Sequence, residues 1–282
     1  MTSYLTVTCR LPARAEEQLA AALERWPVLG CQVEGGGADL AVTVFLDAVQ
    51  DGAIPGVRQE LRGLGARELG TAHFAEQDWL AEYRRTAIPC AIGERFWIDP
   101  HPQRPTSAPA DRIHLLVEPR QAFGSGSHES TRLILMMLES LPVAGARVLD
   151  VGTGSGILAL AARALGAQQV VGFDIDLDAV FIARQIVREQ RRHLPVLLFA
   201  GSTAALVPRL AFDLVLANLI PAEVLPLLPA LRGVLRTGGR FLLSGLMADQ
   251  VVSVREELAR HSLAIAQSRE LDEWVGLVCT PT

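Results

Sequence analysis

Three glycines at alternate positions, Gly152, Gly154 and Gly156, interrupt the stretch Arg147-Val-Leu-Asp-Val-Gly-Thr-Gly-Ser-Gly-Ile157. An apolar run leads in, and a helical pattern from Ile157 to Leu165 follows at once. Such a turn lets a ligand press against bare backbone at a helix N-terminus. About twenty residues on, the apolar run Val170-Val-Gly-Phe173 ends in Asp174, a carboxylate able to accept both hydroxyl protons of a nucleoside ribose. Asp174 could instead cap the next helix, although Asp176 and Asp178 are at hand for that. A Gly turn with an acid downstream is the nucleotide-type signature of a doubly wound α/β sheet.

The kind of nucleotide follows from the spacing. A dinucleotide site wants Gly-x-Gly-x-x-Gly, so that the diphosphate meets an unobstructed helix N-terminus. Here the third glycine comes one residue early and Ile157 fills the dinucleotide position. Asp150, before the turn, suits a cationic amino-acid end better than a diphosphate. S-adenosylmethionine (AdoMet) has such an end and no phosphate. Asn218, the only asparagine in the chain, ends the apolar run Phe212-Asp-Leu-Val-Leu-Ala217. Its carbonyl could hold the proton of an amine nucleophile near a transferable methyl, or it could be a polar strand-end cap. The loop Ala122-Phe-Gly-Ser-Gly-Ser-His-Glu-Ser-Thr131 feeds a helix. Ser130 or Thr131 could cap that helix and touch ligand; His128 reads as a loop-organising hydrogen bonder before a general base.

Composition removes other chemistries. The chain has 282 residues, and every basic side chain apart from histidine is arginine. Without lysine there is no Schiff-base lysine and no Walker-type phosphate lysine. Cys9, Cys31, Cys90 and Cys279 are far apart and no two histidines are spaced i, i+4, so a metal site is not expected. A net charge of −5 and only 5% aromatic residues speak against direct nucleic-acid binding. No signal pattern and no apolar run of 18 residues is present, so a soluble, cytoplasmic protein is expected, with no membrane contact.

The elements that must position these residues alternate regularly. Helices are predicted at about 130–141, 156–165, 177–192, 222–235 and 248–260, and strands at 147–151, 169–174, 196–199, 212–217 and 240–244. Two last strands, near 263–269 and 273–279, are joined too closely for a parallel crossover and must pair antiparallel. Upstream, residues 1–75 read β-α-β-β-α-β, a ferredoxin-like sandwich suited to binding a partner. Residues 76–100 read as a linker helix, Asp78 to Ala87, and a connecting strand, Ile92 to Ile98; residues 101–282 form the nucleotide-type domain. The proline-rich run from Asp99 to Pro109 is a surface loop. The expected class is thus α/β: a seven-stranded, doubly wound, Rossmann-like methyltransferase sheet with an antiparallel last strand, plus the small α+β domain.

Ala122-Phe-Gly-Ser-Gly-Ser-His-Glu-Ser-Thr131 resembles the Ala-Phe-Gly-Thr-Gly-Thr-His-x-Thr-Thr loop of the ribosomal protein L11 methyltransferases. Gly152 to Leu158, Gly172-Phe-Asp-Ile-Asp176, Leu216-Ala-Asn218, Trp79 and Arg95-Phe-Trp-Ile-Asp-Pro100 are similar to segments of the same family. The resemblance spans nearly the whole chain. It implies AdoMet contacts at Thr131, Gly152, Asp174 and Asn218, with Phe123 near the cofactor, and Gly154 belongs to the same turn. It implies an N-terminal domain that recognises ribosomal protein L11, and methyl transfer to lysine side chains or the α-amino group of that protein; a monomer is expected. Ser125, Ser127 and Ser130 replace threonines, Glu129 stands where proline is usual, and Leu219-Ile-Pro221 departs from Ile-Leu-Ala. The alternatives are another protein's lysines or a small molecule as acceptor.

Overall fold

The computed structural model describes residues 3–35, 37–75, 84–120, 124, 126–206 and 212–282. The chain divides into two compact units, Met1–Glu82 and Tyr83–Thr282.

In the first unit, β1 (Ser3–Pro12), β2 (Val28–Glu34), β3 (Asp39–Asp47) and β4 (Arg67–Ala75) form an antiparallel sheet in the order β2-β3-β1-β4. Along β3 every second residue is buried, the period of a sheet with one covered face. Val42, Val44 and Leu46 pack with Leu5, Val7 and Leu11 of β1. Leu19 and Leu23 of α1 (Glu16–Leu23) and Val57 and Leu61 of α2 (Ile54–Gly63) complete that core.

The second unit opens with a small sheet of β5 (Cys90–Ile92), β6 (Phe96–Asp99) and β7 (Ile113–Leu116). The single strand expected over Ile92 to Ile98 is instead a hairpin, since β5 and β6 pair antiparallel. Gly93 turns the chain at φ +55°, and the Glu139 carboxylate accepts the backbone N–H groups of Glu94 (2.9 Å) and Arg95 (2.9 Å). The turn at Gly93-Glu-Arg95 was hidden because its satisfying acceptor comes from far along the chain. The proline-rich loop after β6 is tied to fully buried Asp99, which accepts from His101 N, Thr106 N and Thr106 Oγ1. Burial alone would raise the Asp99 pKa; hydrogen bonds from His101, Thr106 and His114 outweigh it and hold the pKa below the usual range. Of the expected linker helix, only residues 84–86 are described as helix; most of it lies outside the described residues.

The main sheet has seven strands in the order β10-β9-β8-β11-β12-β14-β13. These are β8 (Arg147–Val151), β9 (Gln169–Asp174), β10 (Leu197–Ala200), β11 (Phe212–Asn218), β12 (Leu235–Met247), β13 (Leu263–Leu271) and β14 (Trp274–Pro281). The first five are parallel, and β14 runs antiparallel between β12 and β13. The α/β fold with a mixed sheet is as the sequence implied, and the closing pair is an antiparallel hairpin turned at Asp272 (φ +53°).

Both faces of this sheet are covered, which explains the near-continuous apolar strands. Val148, Leu214, Leu216 and Leu242 face one core with Ile134, Leu135 and Leu138 of α3 (Glu129–Glu139) and Leu158 to Ala162 of α4 (Ile157–Ala164). Leu149, Val151, Val215 and Leu243 face the other. There they meet Leu228 and Leu231 of α7 (Leu228–Val234) and Val254 and Leu258 of α8 (Val251–Arg260). Between these lie α5 (Leu177–Glu189) and a short α6 (Pro221–Val224). The unbroken helix expected over 222–235 is cut by a 3-10 turn at Leu225–Leu227; Pro226 and Pro229 lack the N–H groups a continuous helix would use.

Candidate functional site

Asp174, Gly152 and Asn218 stand level with one another at the carboxyl ends of neighbouring strands. Val151 pairs in register with Phe173 on one side and Ala217 on the other, and the three residues are the next along each chain. The order reverses between β8 and β11. Ligands bind at such a switch point in open α/β sheets because the loops there diverge to opposite faces and leave a crevice.

That crevice is a cavity of about 650 Å³ lined by Gly152, Gly154, Asp174, Asp176, Asn218, His128, Ser130, Glu223 and Trp274 among others. The volume is that of a small-molecule or cofactor site. Its ionisable lining is Asp174, Asp176, Glu223 and His128, with no arginine among the described residues, so it favours a cation over a phosphate. Ile175 is 83% exposed and Ile220 50%, apolar surface on the lining that a ligand ring could cover.

The Gly turn is held from below and behind. Gly152, Gly154 and Gly156 have φ of +65°, +52° and +81°, the left-handed region that a Cβ disfavours. A Cβ on Gly152 would also lie 2.6 Å from Leu219 Cδ2. The Gly154 N–H donates to Asp174 Oδ2 (2.9 Å), so the turn and the second strand brace each other. The other Asp174 oxygen accepts from Asp176 N (3.0 Å). A carboxylate has about four lone-pair sites, so Asp174 keeps acceptor capacity towards the cavity. Asp176 caps α5 through Asp178 N, which frees Asp174 from the capping role.

Asp150 does not face the cavity. It is fully buried, and its Oδ2 accepts from Thr153 Oγ1 (2.7 Å) and Ala159 N (3.1 Å), tying the turn to α4. The carboxylate expected to face a ligand's cationic end therefore shapes the turn instead. Its Oδ1 has no partner among the described residues. Burial pushes its pKa up to about 6 against the opposing Thr153 and Ala159 hydrogen bonds, with the nearby Asp174 charge adding to the rise. A carboxyl that holds its proton more tightly folded than unfolded stabilises the fold at low pH, and that stabilisation fades as pH rises through the folded value. Between pH 4.5 and 7.5 the ligand-free protein should lose about 2 kcal/mol from this group. Asp150→Asn should flatten that slope in urea-unfolding midpoints taken across the range; an unchanged slope would contradict it.

Asn218 is half-buried. Its Nδ2 donates to Thr131 Oγ1 (3.0 Å), and its Oδ1 is buried with no partner among the described residues. Thr131 is itself fully buried and stands behind Asn218, outside the cavity lining. Ser130, its neighbour, is part of the lining. His128, rather than Ser130 or Thr131, is the N-cap of α3: its Nδ1 accepts from Ser130 N and lies 2.8 Å from Ser130 Oγ. Its ring meets Trp274 edge-on at 4.8 Å. The Gly/Ser loop is fastened to the turn by Ser155, whose Oγ donates to Gly124 O (2.5 Å). A Cβ on Gly126 would lie 2.9 Å from Ile157 Cδ1, so the loop lies close against the start of α4. Phe123 lies outside the described residues.

Trp274, Glu223 and Gly245 were not singled out by sequence reasoning, and Leu219 was noted only as a departure from the family pattern. Trp274 carried a signal, one of four tryptophans in an aromatic-poor chain, at the start of a strand. Gly245 carried less. It has φ +92°, and a Cβ there would lie 2.6 Å from the Leu219 carbonyl oxygen, a backbone atom that cannot swing aside. Gly245→Ala should cost about 2–4 kcal/mol of stability from left-handed strain and overpacking. A urea midpoint within error of the wild type would refute that packing. Among the described residues no cluster of potential metal ligands occurs, and no helix is long and apolar enough to cross a membrane.

Comparison with known proteins agrees with this geometry. A family model described as ribosomal protein L11 methyltransferase (PrmA) matches residues 6–282. A ribosomal protein L11 methyltransferase of Pelobacter propionicus is 32% identical over 303 aligned residues, covering 98% of this chain and 97% of its own. One from Symbiobacterium thermophilum is 36% identical over 223 residues, covering 78% and 72%. A crystal structure of a ribosomal protein L11 methylase from Lactobacillus delbrueckii subsp. bulgaricus superposes with a TM-score of 0.64 at 29% identity, covering 70% of this chain and all of that one. With the Gly turn, Asp174 and Asn218 gathered round one acidic cavity, the chain belongs to the ribosomal protein L11 methyltransferase family.

Proposed function

We propose that the protein is an AdoMet-dependent methyltransferase that N-methylates ribosomal protein L11 at lysine side chains or its α-amino group. The observation that carries this is the Oδ1 of Asn218, buried with no partner among the described residues, on a residue of the acidic cavity that also holds Gly152 and Asp174. The residues present fit AdoMet: bare backbone at Gly152 and Gly154, spare acceptor capacity on Asp174 for ribose hydroxyls, and carboxylates suited to a cationic ligand. AdoMet, when bound, supplies a methyl group already made electrophilic by its sulfonium.

The chain's own work is then to align and desolvate the acceptor. A lysine ammonium, with pKa about 10.4, must lose a proton, which costs roughly 4–5 kcal/mol at neutral pH. A site that excludes water lowers that cost by disfavouring the charged form. Asn218 Oδ1 offers an acceptor for a remaining N–H of the neutral amine, which fixes its lone pair. Thr131 sets the Asn218 rotamer through the Nδ2 bond, so we assign it a positioning role. His128 is engaged in capping α3, which favours organisation of the loop over proton transfer. Phe123 is proposed beside the cofactor from the family resemblance alone.

The strand order β2-β3-β1-β4 with two helices supports a ferredoxin-like assignment for the N-terminal unit. We propose that it recognises the protein substrate, with residues 76–100 connecting it to the methyltransferase domain, and that the enzyme works in the cytoplasm as a monomer, without direct contact to nucleic acid. Incubation of a cell extract with methyl-labelled AdoMet tests the function: label should appear on ribosomal protein L11. Label confined to other proteins would redirect the acceptor, and label confined to small molecules would refute a protein substrate.

A further inference from the structure

The cavity's ionisable side chains are not equally engaged. Asp174 accepts from Gly154 N and Asp176 N. Asp176 caps α5 through Asp178 N, and His128 caps α3 through Ser130. Glu223 lines the same cavity, yet its carboxylate has no hydrogen bond or ion pair among the described residues. It stands in the first turn of α6, just past Asn218, and is exposed.

Its place in the sheet separates it from the nucleoside end. Strands β9 and β11 flank β8, so Asp174 marks one side of the Gly turn and Asn218 with Glu223 the other. Neighbouring strands are about 4.8 Å apart, which leaves roughly 10 Å between those sides. Beyond β11 the lining continues through Gly245 at the end of β12 to Trp274 at the start of β14. Among the described residues, the acceptor half of the cavity thus combines apolar Leu219 and Ile220, an aromatic ring and one uncommitted carboxylate, with no basic side chain but the His128 imidazole in the lining.

We propose that Glu223 recognises the acceptor amine in its charged state, ion-pairing with the incoming ammonium at the mouth beside Asn218. This rests on the reading of the substrate as a protein amine. An ammonium entering past Ile220 and Trp274 sheds water, and an unpaired charge there would be repelled. The free carboxylate offsets that loss and selects cationic side chains over neutral ones of the same length. Exposed at the mouth, the pair should also be weakened by salt.

Steady-state kinetics with purified ribosomal protein L11 and AdoMet, at low and high salt, test this in the full-length wild type, Glu223→Gln and Glu223→Asp. A parallel measurement takes the affinity of each protein for L11 in the presence of S-adenosylhomocysteine, without turnover. Glu223→Gln should raise KM for L11 about tenfold, more than it lowers kcat, and weaken L11 binding to match. The salt dependence of KM should flatten, AdoMet affinity should hold, and Glu223→Asp should recover part of the loss. Wild-type KM and salt dependence in Glu223→Gln would overturn the role of Glu223 alone. A wild-type enzyme that modifies no amine of L11 would overturn the acceptor reading and this inference with it.

Discussion

Asn218→Ala should lower turnover by roughly a hundredfold or more while changing AdoMet affinity far less. The expected size follows from losing an oriented acceptor at the reacting amine, where a small misplacement or a missing polar contact costs orders of magnitude. Two features of the structure set the direction. Asn218 Oδ1 is buried with no partner among the described residues, so removing it relieves the free protein of an unsatisfied acceptor while depriving the loaded one of its contact to the amine. Thr131 Oγ1 loses its partner in the variant, so circular dichroism and the thermal midpoint should accompany the kinetics. Asn218→Asp keeps an oxygen in place but removes the donor to Thr131, and should retain more turnover than alanine. Unaltered kcat in a folded Asn218→Ala protein would remove Asn218 from the chemistry.

Asp174→Ala should weaken AdoMet binding by at least about a hundredfold. Two hydrogen bonds from ribose hydroxyls to an ionised carboxylate contribute about 1.5–3 kcal/mol each, and each 1.4 kcal/mol is a factor of ten in affinity. The carboxylate also holds the Gly154 N–H, so alanine should loosen the turn that a ligand backbone contact needs. Titration calorimetry checks both this and the choice of nucleotide. Wild-type protein should bind AdoMet and not NADH, since the lining carries carboxylates and no arginine among the described residues. An Asp174→Ala protein with wild-type affinity would place the ribose elsewhere.

What the sequence disclosed depends on how local the physics is. The strand-turn-helix at 147–165 was legible because glycines at left-handed positions and a period change lie side by side in the chain. The closing hairpin was legible because its connection is too short for a crossover. Asp174 and Asn218 were legible as polar residues ending apolar strands. The β5–β6 hairpin was hidden because its turn is satisfied by Glu139, some 45 residues away. The direction of Asp150 was hidden although its partners, Thr153 and Ala159, are close in the chain, because periodicity does not show which side chain the turn and the start of α4 draw inward. Trp274 and Gly245 reach the cavity through the sheet order, in which β12 lies beside β11 and β14 beside β12, and periodicity does not report which strands become neighbours.

The central claim is that this cavity delivers a methyl group to an amine of ribosomal protein L11. The most direct measurement is mass spectrometry of purified L11, intact and after proteolysis, following incubation with the purified enzyme and AdoMet. Methyl groups should appear on lysine side chains or the α-amine with the wild type and be nearly absent with Asn218→Ala. An L11 mass unchanged by the wild-type enzyme, or methyl groups found on oxygen or sulfur atoms, would contradict it.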